Sequence, residues 1–233
     1  MLLRLVPDRP LDDWDRLLHA VPQMGWVHGV SRPEVAHEWD RPVPGWAPAL
    51  GRLLAAATVT PVTIEGASYE ILGWEQRNGG RTGWLCPSPS PPRLPSNAHP
   101  DHAELLGTLG GVLERWQEPE TWLSGSVESL VPTVARHRAD FLYDYDWMWS
   151  EDGLEMPIDP SQWYSVSDDA NGNATLCHHV HGDVLRWAPE DDVYTKRQLE
   201  DCPAGTLYRI DGTPDFRLWV EQLALQWLTV VWA

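Results

Sequence analysis

Positive charge is the scarcest property of this sequence. A single lysine, Lys196, stands among only 17 basic residues, and 34 acidic residues oppose them for a net charge of −17. No basic patch interrupts this field. Nucleic acid and anionic membrane surfaces are therefore excluded as natural partners. Cysteine is scarce too. Cys86, Cys177 and Cys202 form an odd set, too few and too far apart for a disulfide framework, so a reducing compartment is expected. No run approaches the ~20 apolar residues of a membrane span. The opening stretch from Met1 to Pro7 is too short for the apolar region of a signal peptide. A cytoplasmic, soluble chain is the expectation. Catalytic signatures are also missing: no serine nucleophile elbow, phosphate-binding loop, dinucleotide glycine fingerprint or zincin helix motif occurs.

Tryptophan is present in excess, fifteen in 233 residues. Such a density marks an aromatic core, or aromatic platforms for sugars, bases or proteins. Sorting the tryptophans requires the element pattern. Leu11, Trp14, Leu17, Leu18 and Val21 share one face of a helix over residues 10–21. A second short helix is expected from Leu50 to Ala57. Val62–Ile64 and Tyr69–Trp74 are β-rich, and Asn78-Gly79-Gly80 makes a hairpin turn before Thr82–Cys86. Residues 87–100 are crowded with proline and serine, so no helix or inner strand can cross them. This stretch reads as a long surface loop in preference to a domain boundary, and residues 1–100 as an N-terminal helix-and-hairpin extension packed on a main domain, residues 101–233.

In that second part, Leu105, Leu106, Leu109, Val112, Leu113 and Trp116 recur at helical spacing, although Gly110-Gly111 lies inside the pattern. Val131–Tyr143 also reads as helix. Trp163–Ser167, Ala174–His179, Val184–Trp187 and Thr206–Ile210 read as strands, with turns at Asn171-Gly172 and His181-Gly182-Asp183. A final helix is expected with Thr213 as N-cap and Pro214 in its first turn. Its apolar face holds Phe216, Trp219, Val220, Leu223, Trp227, Leu228 and Val231. Strands in a meander closed by helices make an α+β fold. Trp14, Trp116, Trp219 and Trp227, with Trp163 and Trp187, are expected in the core, each with an acceptor near its N–H.

Three constellations invite chemistry. Cys177-His178-His179-Val180-His181 holds zinc-type ligands, and a strand would put Cys177, His179 and His181 on one face. The remaining candidates, Cys86, Cys202, His99 and His102, lie at no known ligand spacing, so a plain hairpin strand is the favoured reading, with no metal and no cofactor. Carboxylates surround Trp147 and Trp149, and paired carboxylates with sugar platforms describe a carbohydrate-binding protein or glycosidase, the alternative reading. Third, residues 140–200 hold fourteen acids against Arg186, Lys196 and Arg197, which places −11 of the −17 in about a quarter of the chain. That field would steer a basic protein partner to one face. Asp144, Asp146, Trp147, Trp149, Glu151, Asp152, Asp168, Asp169, Asp191 and Asp192 are the candidate contact residues, with the two tryptophans as anchors.

The run Asn171-Gly172-Asn173-Ala174-Thr175-Leu176 leads to Gly182-Asp183-Val184-Leu185-Arg186-Trp187, then to an acidic loop from Pro189 to Tyr194 and a helix from Pro214 to Leu228. This order resembles the closing segment of the SUKH superfamily, which includes yeast cell-wall assembly regulators and many bacterial immunity proteins. Leu109-Gly110-Gly111-Val112 corresponds to the family's Asn-Gly-Gly segment, with Leu109 in place of the Asn. The resemblance spans residues 101–231. It implies an antiparallel sheet flanked by helices, no catalytic site, and a role in neutralising a toxin. A nuclease toxin is basic where it meets nucleic acid, and would suit an acidic face.

Overall fold

The computed structural model describes residues 13–20, 36–89, 98–117, 126–132, 139–190 and 196–232. The fold is α+β, built on two antiparallel sheets. The first contains β1 (His37–Glu38), β2 (Thr58–Ile64), β3 (Ala67–Glu75), β4 (Arg81–Pro87) and β5 (Glu114–Trp116), neighbours in that order. The second contains β6 (Ser126–Ser129), β7 (Trp163–Asp169), β8 (Ala174–His178), β9 (Val184–Trp187), β10 (Lys196–Gln198) and β11 (Leu207–Ile210), in the order β10-β11-β9-β8-β7-β6. An isolated bridge between Val112 and Ser129 stitches the adjoining edges together, through reciprocal backbone bonds of 2.7 and 2.9 Å.

Alternation along the strands decides what each sheet face meets. On β2, β3 and β4, Val62, Ile64, Ile71 and Leu85 turn to one side, where α1 (Asp13–Ala20) lays Trp14 and Leu17 against them. Asp13 in the first turn of α1 clamps Arg81 of β4 with two bonds of 2.6 and 2.7 Å. Val59, Leu72, Trp74, Trp84 and Cys86 turn to the other side. There they meet α2 (Pro48–Ala55), α3 (Pro100–Leu106) and the C-terminal helix, here α5 (Phe216–Leu228). Tyr164, Val166, Cys177 and Val184 of the second sheet join the same cluster, so one helical layer serves both sheets. The boundary expected at residue 100 thus falls between β4 and β5, which are partners in one sheet.

The β2–β3 turn uses Glu65 and Gly66, both at positive φ, as the tightest hairpins require. The β3–β4 turn falls at Asn78-Gly79-Gly80 as expected, with Asn78 Oδ1 accepting from Gly80 N at 2.8 Å.

Three expectations need correction. The helix predicted through Trp116 stops at Leu106, and the chain continues extended into β5. Gly111 sits at φ +98°, and a Cβ there would come within 2.6–2.8 Å of Val131. A Cβ at Gly110 would lie 2.0 Å from Pro87 O. The glycine pair lets the backbone pass where no side chain fits, a passage that a helix continued through Trp116 would not make. The residues at helical spacing are still buried, Leu105, Leu106, Leu109, Val112 and Trp116 among them. Second, residues 139–143 of the helix expected at 131–143 belong to a 3-10 helix, Ala139–Tyr145, while residues 133–138 lie outside the described set. Third, Asp215, not Thr213, caps α5: its Oδ1 accepts from Leu218 N at 2.9 Å. Thr213 is buried and donates its hydroxyl to Ile210 O at 3.3 Å.

Trp14, Trp116, Trp163, Trp187, Trp219 and Trp227 are in the core as expected. Their N–H groups are less well served than expected. Trp74 donates to Leu53 O at 2.7 Å, but among the described residues the N–H groups of Trp84, Trp116, Trp219 and Trp227 meet no hydrogen-bond partner. Trp74, Trp84 and Trp227 instead form a triad with centroids 4.9–5.6 Å apart, largely edge to face. That geometry sets the positive edge of one ring on the negative face of the next.

Candidate functional site

The strongest surface feature grows from the segment Ala139–Glu151, which covers the second sheet on the face away from α5. Its first part is the 3-10 helix Ala139–Tyr145, and its second is α4 (Trp147–Glu151). Three residues per turn place Ala139, Leu142 and Tyr145 on one side. Ala139 and Leu142 are buried there, and the Tyr145 ring leans on Trp187 at 5.1 Å. Trp149 points inward from α4 and stacks on Trp187 at 6.5 Å.

What the inward residues leave outside is an aromatic strip. Tyr143 is 54% exposed, Tyr145 39% and Trp147 52%. Asp144, Asp146, Glu151 and Asp152 lie exposed between and beyond these rings, with Glu155 following. Among the described residues, none of these five carboxylates has a cation within salt-bridge range. The Tyr143 hydroxyl donates to Asp159 Oδ1 at 3.2 Å, and the same oxygen accepts from Ser161 N at 3.0 Å. Hydrogen bonds from Ser161, then Tyr143, hold the Asp159 carboxyl below its usual range. The strip is thus pinned at both ends, by the core beneath and by Asp159 beside it.

The ten candidate residues separate. Asp144, Asp146, Trp147, Glu151 and Asp152 stand together on the strip. Trp149 does not belong with them: it is fully buried, and its role as a surface anchor or sugar platform is corrected to one in the core. Successive residues on a helix cannot face one way, and Trp147 and Trp149 differ by about 200° around the axis. Asp169 is corrected as well. Its side chain is 4% exposed and ion-paired with the fully buried Arg186, which also donates to Thr175 Oγ1 at 3.1 Å. Asp168, half-buried, lines a cavity beside the 3-10 helix. Asp191 and Asp192 lie outside the described residues.

The histidine cluster differs from its expected geometry. β8 ends at His178, so Cys177, His179 and His181 share no strand face. Cys177 is buried toward the helical layer, and burial pushes its thiol up to about 12. The rings of His181 and His179 stack on His178 at 4.6 and 5.4 Å. His178 Nδ1 accepts from Val180 N and His181 N, both at 3.2 Å, while His179 Nδ1 donates to Gln162 O at 2.8 Å. Among the described residues no three His, Cys, Asp or Glu side chains are grouped to hold a metal ion.

One arrangement was invisible in the sequence. The N-terminal ends of α3 and α5 meet at a cleft of about 280 Å3, where Arg217 grips Asp101 with two bonds of 2.7 and 2.9 Å. The Arg217 guanidinium holds the Asp101 carboxyl below its usual range. Beneath lies His102, fully buried, with Nε2 donating to Leu130 O at 2.8 Å and Nδ1 3.3 Å from the Tyr164 hydroxyl. Burial lowers the His102 imidazole to about 4 and raises the Tyr164 hydroxyl. A neutral imidazole and a protonated thiol, both sealed from solvent, are structural groups at neutral pH. No sequence signal could have joined residues 101 and 217, since the pair exists only once α3 and α5 meet.

Comparison of the chain with protein-family models, with curated proteins and with solved structures returns no match.

Proposed function

We propose that this protein is a non-enzymatic interaction module of SUKH-like immunity type, which binds and neutralises a basic toxin through the strip over residues 140–152. A nuclease is the toxin class whose charge fits. The observation that carries this reading is the strip itself: Tyr143, Tyr145 and Trp147 exposed among carboxylates without a cation partner among the described residues. Large exposed aromatics on a packed support supply binding energy at small entropic cost. The surrounding charge accelerates encounter with a cationic surface and rejects an anionic one.

Affinity capture from the source cells, at low and high salt, tests this. The wild-type protein is expected to retain a basic protein that elutes with salt, and Trp147→Ala is expected to weaken the purified pair by about 30-fold, or ~2 kcal/mol. Asp144→Asn combined with Asp146→Asn is expected to slow association and flatten its salt dependence. Recovery of no basic partner, or equal affinity for the Trp147→Ala protein, would overturn the proposal. A saturable change in tryptophan fluorescence on glycan titration would move the strip to sugar binding instead.

A further inference from the structure

We propose that the β8–β9 turn is a proton-operated latch on the N-terminal end of α5, closed while the His178 imidazole is neutral and released when it gains a proton. The latch is separate from the aromatic strip and does not depend on what the strip binds. The turn runs from His178 to Asp183 and is closed by two backbone bonds of 2.9 Å, His178 N to Asp183 O and Gly182 N to His178 O. Inside it, Val180 N and His181 N meet no backbone acceptor among the described residues. Both donate to His178 Nδ1 at 3.2 Å. A ring nitrogen accepts only through its lone pair, so Nδ1 is bare and the neutral ring carries its proton on Nε2. A second proton can go only to Nδ1. It consumes the lone pair and turns the acceptor into a donor facing two donors. The closed turn and the charged ring therefore exclude each other.

The groups around the ring push the same way. His181 stacks on it at 4.6 Å and His179 at 5.4 Å, and Trp163 of β7 meets it edge to face at 5.1 Å. His179 is held in place by its Nδ1 bond of 2.8 Å to Gln162 O, so it does not withdraw from a charged neighbour. Burial, then His181 and His179, hold the His178 imidazole below its usual value; His99 at the start of α3 adds to them, and Asp183 alone opposes them. The other carboxylates of the region are engaged: Asp101 by Arg217, and Asp215 by the Leu218 amide. Protonation thus sets like charges side by side with little to offset them.

What the turn holds is the start of α5. Gly182 O accepts from Phe216 N, the first residue of the helix, at 2.8 Å, and Val184 N donates to Pro214 O at 3.0 Å. Asp183 and Asp215 form an isolated bridge between the two segments. A Cβ at Gly182 would lie 3.0 Å from His99 Nε2, so the turn rests directly on that ring. His99, His181, Gly182, Phe216 and Arg217 line the cleft of about 280 Å3 described above. Movement of Gly182 therefore loosens both the first turn of α5 and one wall of that cleft. Val180 is 58% exposed, so water takes up the freed amides and the release stays local.

The test is an NMR titration of the full chain from about pH 7.5 to about pH 5, a range over which His102, lowered to about 4, stays neutral. Imidazole ring-proton shifts give the midpoint of His178. Backbone amide shifts and hydrogen-exchange protection follow Val180, His181 and Phe216. The His178 midpoint is expected below that of an unperturbed histidine. The three amides are expected to shift with that same midpoint and Phe216 to lose at least about fivefold of its protection, while the Tyr143 and Trp147 amides stay still. In His178→Asn the side-chain oxygen accepts from the amide two residues on at every pH, so the three amides are expected to hold their positions across the range. His181→Gln removes one like charge and keeps the backbone donor; it is expected to raise the His178 midpoint and to carry the amide transition with it. His178 titrating without the amides, an amide transition that persists in His178→Asn, or one that fails to follow the His178 ring in His181→Gln, overturns the latch.

Discussion

Trp149→Ala is expected to destabilise this protein strongly, and Trp147→Ala, two residues away, hardly at all. Trp149 is fully buried against Trp187 in the cluster formed by Ala139, Leu142, Leu176 and Leu207. Truncating a buried tryptophan to alanine costs about 3–5 kcal/mol through lost transfer energy and the cavity left behind. The Trp149 indole also hydrogen-bonds the Cys202 side chain, so the loss is expected to reach at least the low end of that range, about 3 kcal/mol. In a chain of this size that lowers the midpoint of thermal unfolding by about 6–12 °C. Trp147 is 52% exposed, and its truncation is expected within about 1 kcal/mol. Urea and thermal unfolding followed by circular dichroism measure both, and an unchanged urea slope confirms that the denatured state is the same. Partner binding is expected to rank the variants in the opposite order. Equal destabilisation by the two substitutions, or a neutral Trp149→Ala, would refute the inward orientation of Trp149, and with it the division of the strip from the core.

Two further outcomes follow from buried polar groups. Glu221 of α5 accepts from Ala49 N and Leu50 N of α2 at 2.9–3.1 Å, so it caps a helix whose own N-cap, Ala47, has no capping side chain. Glu221→Ala is expected to cost about 1–2 kcal/mol in urea unfolding, and Glu221→Gln less, because its amide oxygen still accepts; no difference between alanine and wild type would remove the cap from the account. His102 is held neutral in the folded chain, its imidazole lowered from 6.5 to about 4, so the unfolded state binds the extra proton between those values. Stability is therefore full above pH 6.5 and is lost as pH falls toward 4, by about 3 kcal/mol. His102→Gln, whose amide can still donate to Leu130 O, is expected to flatten urea midpoints over this range, and an unchanged slope would contradict the buried neutral imidazole.

Much of the fold was legible because burial leaves a local period in the sequence. β9 spans Val184–Trp187 as the pattern implied, and β7, β8 and β11 differ from expectation only at their ends. Helices α1 and α2 and the closing helix α5 were equally visible, since each keeps an apolar face toward one layer. The site was half legible. Local charge and aromatic content marked the segment around residues 140–152, but not which indole turns out. Trp147 and Trp149 have the same neighbours in sequence, and only the Trp187 ring beneath them distinguishes inside from outside.

By itself, then, the sequence determined the fold class, most of the residues that would be buried, and the acidic stretch that would meet solvent. These follow from hydrophobic period and net charge, which are properties of neighbours along the chain. Tertiary structure alone decided the rest. It ended α3 at Leu106 and then ran the chain past Pro87 and Val131, where Gly110 and Gly111 leave no room for a side chain. It brought Glu221 to the open end of α2 across 172 residues. It also neutralised Asp169 with Arg186, and enclosed Phe141 with Asp168 around a cavity. Each of these is a meeting of residues distant in sequence, and contact at a distance leaves no period to read.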